Sequence, residues 1–185
     1  MALLRPAEAP APDEAHAPRA RWVGWVAAAR FGDRAAFTSL HNHFAPMVHA
    51  VVISRVSASD AKDLVQDVFI IAMQRITTLE DDQAFAGWLA QVARNRAAKH
   101  LRDKPDTLEL DEELPGPSPG DEAPDTKKVL KALRALPEAY RETLAMRLIE
   151  GLSGPEIAER TGLTPGSVRV NLHRGMQQLR EALGL

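Results

Sequence analysis

The sequence contains no cysteine, which excludes disulfides, thiolate zinc sites and thiol nucleophiles at once. Aromatic residues make up only 5% of it, and no apolar run approaches the roughly 20 residues that a membrane-spanning helix needs. The first residues also lack the apolar block that follows the basic start of a secretory leader. The expected location is therefore the cytoplasm, without membrane insertion. Missing too is any alternation of apolar and polar residues long enough to read as a strand. Apolar residues recur instead at spacings of three and four, and 45% of the 185 residues are hydrophobic. That combination predicts an all-α fold with enough apolar surface to bury a core.

Charge is distributed in blocks. The formal net charge is -2, an unpromising value for a nucleic-acid binder, but the average hides opposing segments. Residues 1–20, 21–104, 105–125 and 126–185 carry balances of -1, +3, -8 and +4. The third of these contains eight carboxylates and no positive charge. Its prolines and glycines, in PDTLELDEELPGPSPGDEAPD, argue against packed structure. We read it as a flexible acidic linker between two mildly basic helical domains, with residues 1–20, rich in alanine and proline, as a disordered tail.

In the first domain, RWVGWVAAAR predicts a helix ending near Gly32. Phe37, Leu40, Phe44, Val48 and Val51 mark a second, with Pro46 tolerated as a bend or an early-turn residue. Ser59 or Asp60 is the expected cap of a third, with Leu64, Val68, Ile71 and Ala72 facing inward. The run FAGWLAQVARNRAAKHLR supplies the fourth.

The second domain holds the sharpest local signal. In GLSGPEIAERTGLTPGSVRVNLHRG, Ser153 and Glu156 form a capping box and Pro155 suits a first helical turn. Gly162 is placed to end that short helix, and Thr164 with Pro165 to start the next. Two caps separated by a single glycine predict a helix-turn-helix. On the second helix, Val168, Leu172, Met176, Leu179 and Leu183 fall on one side. Gly166, Val170, His173, Arg174 and Gln177 fall on the other. An outer face of this kind, with arginine to pair with guanine and an apolar side chain to touch a thymine methyl, fits a DNA major groove. Gly175, inside the helix, costs roughly 1 kcal/mol relative to alanine, which points to a close backbone approach or a tolerated weakness.

The two modules, in this order, resemble the RNA polymerase sigma factors of the extracytoplasmic function (ECF) group, built from sigma domains two and four. The resemblance rests on GDRAAFTSLHNHFAPMV, DAKDLVQDVFIIAM, GWLAQVARNRAAKHLR and the run from LPEAYRETLAMRL to LREAL. It implies a sigma domain 2 helical bundle over 21–104 and a sigma domain 4 over 126–185. It also implies that Asp63, Gln66, Asp67, Ile70 and Gln74 meet the β′ clamp helices of core polymerase, with the β flap as a further contact. By the same resemblance, the fourth helix and the loop ITTLEDDQAFA recognise the minus-ten element, through Phe85, Arg94, Asn95, Lys99 and Arg102. The minus-thirty-five element falls to Thr164, Ser167, Arg169, Val170, Asn171, His173 and Arg174. Partners implied are core RNA polymerase, promoter DNA and an anti-sigma factor; no cofactor or metal is implied. The chain departs from the family's usual residues at Arg96, Lys99, Val170, Asn171 and Gly175. In this setting the acidic linker could mimic RNA along the polymerase exit path.

Local physics is compatible with these roles. Asp63 and Asp67, four apart on a helix, repel each other by a few tenths of a kcal/mol, and a basic partner would relieve them. Enzymatic readings are weak. His41 and His43 are two apart and point about 200° from each other on a helix, and the Ser59–Lys62 spacing is met by a simple cap. The remaining alternatives are a LuxR-type helix-turn-helix regulator and a polymerase-binding adaptor that does not itself initiate.

Overall fold

Helix boundaries follow the capping residues. In the computed structural model, which describes residues 21–103 and 124–185, the first helix, α1 (Arg21–Arg30), gives way to a turn in which Gly32 takes φ 88°. Helix α2 (Arg34–Ile53) starts directly after it. The Asp33 carboxylate accepts from the amides of Ala35 at 2.8 Å and Ala36 at 3.0 Å, two donors with no partner inside the helix. Pro46 lies within α2. Helix α3 (Ala58–Arg75) is capped by Ser57, not by Ser59 or Asp60. A cap needs extended backbone, which Ser57 has; Ser59 and Asp60 are already helical, and the Asp60 amide donates back to Ser57 Oγ at 3.3 Å.

Two short 3-10 turns, Ile76–Thr78 and Asp82–Ala84, lead into α4 (Phe85–Asp103). Helix α5 (Pro124–Arg134) begins two residues before the expected start of the second domain at 126. Then come α6 (Glu138–Leu148), α7 (Gly154–Thr161) and α8 (Pro165–Leu183), and no strand occurs among the described residues. The tail over 1–20 and most of the acidic linker lie outside the described residues.

Helices α1 to α4 enclose one apolar centre. Leu40, Phe44, Met47, Phe85 and Leu89 are fully buried there. Trp22 meets Phe44 edge-on at 5.5 Å between ring centroids and Phe44 meets Phe85 at 5.3 Å, an arrangement that aligns ring edges with ring faces. Leu133, Leu144, Met146, Ile157 and Val168 of helices α5 to α8 are buried in the same continuous apolar cluster. Here Gly175 acquires its reason. A methyl group added to it would lie 3.0 Å from Leu144 Cδ1 and 3.0 Å from Tyr140 Cβ, so the missing side chain lets α8 lie close on α6.

The two helical groups also touch. The C-terminal half of α2 lies against α6, and α7 lies against α2 and α4. Arg134 of α5 donates to the carbonyl of Val56 at 2.6 Å, beyond the end of α2. Such contact was not anticipated for domains joined by a long acidic linker.

Candidate nucleic-acid interface and partner-binding faces

The helix-turn-helix is assembled by its caps. Ser153 N donates to Glu156 Oε2 at 2.8 Å while Glu156 N donates to Ser153 Oγ at 3.4 Å, closing the capping box. The hydrogen bonds from Ser153 hold the Glu156 carboxyl below its ordinary range. Gly162 ends α7 in the left-handed conformation, φ 72°. Two residues later Thr164 Oγ1 accepts from the amide of Ser167 at 3.1 Å and α8 begins with Pro165.

Along α8, Val168 and Leu179 are buried and Leu172, Met176 and Leu183 half-buried, so the apolar stripe docks as its spacing predicts. Thr164, Ser167, Arg169, Val170, His173 and Arg174 are exposed. Among the described residues, Arg169, His173 and Arg174 have no ion pair or hydrogen-bonded side chain. The two guanidinium charges are free to meet another molecule. Asn171 differs from the expectation. At 100° per residue it falls between Val168 and Gly175, half-buried, and its Nδ2 points at Thr143 Oγ1 at 3.5 Å. It faces α6 rather than the outer surface.

The basic face of α4 is built otherwise. Asn95, Lys99 and Arg102 are exposed and follow the four and three spacing of one helical side. Phe85, expected among the DNA contacts, is 0% exposed, its ring held between Phe44 and Trp88. A side chain so enclosed cannot reach a base, so Phe85 anchors the loop end to the core instead. Arg94 does not project freely either. Its Nε and Nη2 donate to Glu142 of α6, both at 2.8 Å, a bidentate pair that raises the Arg94 pKa. Next to it, Arg96 Nε donates to Asp67 Oδ2 of α3 at 2.9 Å.

That last contact bears on the α3 face. Asp63, Gln66 and Gln74 are exposed there, and Ile70 is 49% exposed. Asp67, however, has its charge met by Arg96 within the chain, so the expected repulsion between Asp63 and Asp67 is already relieved. Met73, not singled out by the sequence reading, is 57% exposed beside Ile70, and its position three residues on was the signal. Together Ile70 and Met73 form an apolar spot among polar groups, the kind of surface that marks a contact.

The loop from Ile76 to Ala84 is held at its second end. Asp82 Oδ1 accepts from Arg30 Nη1 at 2.8 Å, and the Asp81 carboxylate accepts from the Gln83 amide at 2.9 Å. Between this loop and α1 lies an open cleft of about 720 Å³, lined by Arg21, Val23, Arg30, Glu80, Asp81 and Gln83.

Sequence reasoning missed a third feature. Glu142 is buried, and its carboxylate receives Arg94 and also Arg55 Nη2 at 2.6 Å. Burial alone opposes its ionisation and is the largest single influence, but the hydrogen bonds and charges of Arg94 and Arg55 together outweigh it and hold its pKa below the usual value. Glu142 precedes Ala145 and Met146 by three and four residues. A carboxylate on an apolar stripe was the available signal. The histidines have separate partners: His41 lies on Phe69, His43 on Trp25 and Phe44, and His49 pairs with Glu150. None of the described helices is long and apolar enough to cross a membrane.

Comparisons with known proteins agree with this architecture. Residues 40–105 match the family model for sigma-70 region 2, and residues 126–179 match that for sigma-70 region 4. The RNA polymerase sigma factor CarQ of Myxococcus xanthus is 32% identical over 84% of this chain and 93% of its own length. The ECF RNA polymerase sigma factor RpoE of Cereibacter sphaeroides is 31% identical over 88% of this chain and 95% of its own. Among solved structures, CnrH in complex with the cytosolic domain of CnrY shares the fold, with a TM-score of 0.57 at 24% identity over 88% of this chain and 96% of that one. With both segments matched in one chain, in this order, and with relatives covered almost end to end, the protein belongs to the ECF group of RNA polymerase sigma factors.

Proposed function

We infer that this chain binds core RNA polymerase and directs promoter recognition, melting and transcription initiation, as its family does, with α3 as the polymerase face and α4 and α8 as the two DNA-reading helices. The observation that carries the division of labour is the uncommitted basic face of α8 behind a cap-to-cap turn. A helix presented in this way meets the major groove with its N-terminal residues, and Arg169 and Arg174 supply base or phosphate contacts while Val170 supplies apolar contact. Asn95, Lys99 and Arg102 are assigned to the minus-ten element. The cleft between α1 and the Ile76–Ala84 loop is the candidate pocket for an unpaired base, since a base taken from the stack needs an enclosing site. On α3, Ile70 and Met73 add an apolar anchor to Asp63, Gln66 and Gln74.

Sigma factors in general regulate and do not catalyse, and we read this chain as having no enzymatic activity of its own. It works in the cytoplasm, where polymerase is, and an anti-sigma protein is the expected inhibitor. The division of the chain into a domain over 21–104 and a domain over 126–185 is part of the same reading. Run-off transcription with sigma-free core polymerase on native promoters tests it: the purified chain alone must confer initiation. A regulator of the LuxR type would need another sigma factor, and an adaptor would bind core yet start no RNA.

A further inference from the structure

One guanidinium of α4 stands between the face read as polymerase-binding and the face read as DNA-binding. Arg96 Nε donates to Asp67 Oδ2 of α3 at 2.9 Å, and Arg96 Nη2 donates to the same oxygen. Among the described residues Arg96 has no other partner, and Asp67 Oδ1 has none at all. The pair is partly solvated: the Arg96 side chain is 26% exposed and that of Asp67 40%. A pair in that setting is weak, so a second charge brought beside it is enough to redistribute its partners.

Helical phase places Arg96 between two rows. Asn95, Lys99 and Arg102 form the exposed row of α4, whereas His100 turns to Asp60 of α3 at 3.2 Å. At 100° per residue Arg96 falls about 60° from Lys99 and about 40° from His100. Rotation about the bonds of its long side chain therefore carries the guanidinium from the α3 side to the row of Lys99 with no movement of the backbone. On α3, Asp67 lies four residues after Asp63 and three before Ile70, both exposed. Its open Oδ1 and the carboxylate of Asp63 together attract a cation of a partner docked there. That cation, placed against Oδ1, shares the carboxylate with Arg96 and repels the guanidinium.

We propose that Arg96 is a conditional DNA contact: Asp67 holds it in the free chain, and a basic group of the partner docked on α3 takes Asp67 and releases Arg96 to a phosphate of the minus-ten strand. The proposal rests on the assignment of α3 to polymerase and of α4 to the minus-ten element. By linkage, DNA held at Arg96 leaves Asp67 to polymerase, so each ligand strengthens the other by the same factor. The strength of a partly exposed pair bounds that factor at about fivefold. Position 96 is one at which this chain departs from the family's usual residues, so the coupling belongs to this chain.

The test compares the free full-length chain with its complex with core polymerase, on a fluorescent DNA carrying the minus-ten region of a promoter that the parent transcribes. Affinity is measured across a range of salt. In the complex, Arg96→Gln should lower the slope of log affinity against log salt by about 0.7–0.9, the loss of one phosphate contact, and Arg96→Lys should restore it. In the free chain Arg96→Gln should change nothing. Asp67→Asn should raise the free chain's DNA affinity by up to about fivefold, and adding Arg96→Gln should cancel that gain. Circular dichroism checks that each variant keeps its helicity. Equal slopes for parent and Arg96→Gln in the complex would overturn the proposal, as would an equal loss with and without polymerase, or no gain in folded Asp67→Asn. Run-off transcription separates the two readings. A parent chain that never initiates removes the sigma-factor assignment and the proposal with it, whereas a parent that initiates while Arg96→Gln keeps its slope removes the proposal alone.

Discussion

Helices α4 and α8 are each 19 residues long, each bears exposed basic groups, and yet they hold their charge in opposite ways. On α8 the arginines Arg169 and Arg174 have no partner among the described residues. On α4, Arg94 and Arg96 are spent on Glu142 and Asp67, and only Lys99 and Arg102 remain exposed and unpaired among the described residues. The start of each helix differs as well. Phe85 opens α4 inside the core, whereas Pro165, Gly166 and Ser167 open α8 in solvent. The lesson is that a count of basic residues on a helix does not measure charge available to DNA. A guanidinium that already has a desolvated carboxylate must lose it before it meets a phosphate, and the loss offsets much of the gain.

Substitutions test this contrast. The largest effect is expected at Phe85→Ala, which should destabilise the chain by about 3–5 kcal/mol in chemical denaturation. Phe85→Leu should keep most of that stability together with promoter binding, and a specific loss of minus-ten affinity in Phe85→Leu would restore the ring as a DNA contact. Arg94→Ala should cost about 2 kcal/mol of folding stability, since it strips a charge-assisted pair from buried Glu142.

Arg174→Ala should do the reverse. It should leave the melting midpoint nearly unchanged, within about 0.5 kcal/mol, while minus-thirty-five affinity measured by fluorescence anisotropy falls by about 1–3 kcal/mol. Equal behaviour of the two alanine variants would abolish the distinction between a committed and a free face.

The smallest effect is one of pH. Because Glu142 has a folded pKa below its ordinary 4.5, its contribution is present above that value and is lost as pH falls from it through the lower folded value. The groups facing Glu142 are Arg55, Arg94, Arg141 and Glu138, and the three arginines stay charged throughout. Melting curves of the parent and Glu142→Gln should therefore differ at neutral pH and converge in the acid range.

Much of the fold could be read from local chemistry. The capping box at Ser153, the left-handed Gly162 and the Thr164 cap each depend on atoms within a few residues, so the helix-turn-helix and its docking stripe were legible in advance. Gly175 was recognised as costly, and its cause, the approach of α6, lies about thirty residues away in sequence. Cap placement at α3 went to Ser57 because backbone conformation, not residue type, chose among neighbouring candidates. Phe85 and Asn171 were misplaced for one reason: family position says which helix a residue occupies, but the rotation of that helix against its neighbours says whether the side chain is reachable.

The order of residues by itself determined the helices, their caps, the two apolar stripes and the segregation of charge, because those depend on periodicity and short-range hydrogen bonds. Which charges are free depends instead on long-range packing. Arg55, Arg94 and Glu142 meet across separations of 87 and 48 residues, and an ion pair of that span exists only where packing brings its partners together and removes the water between them.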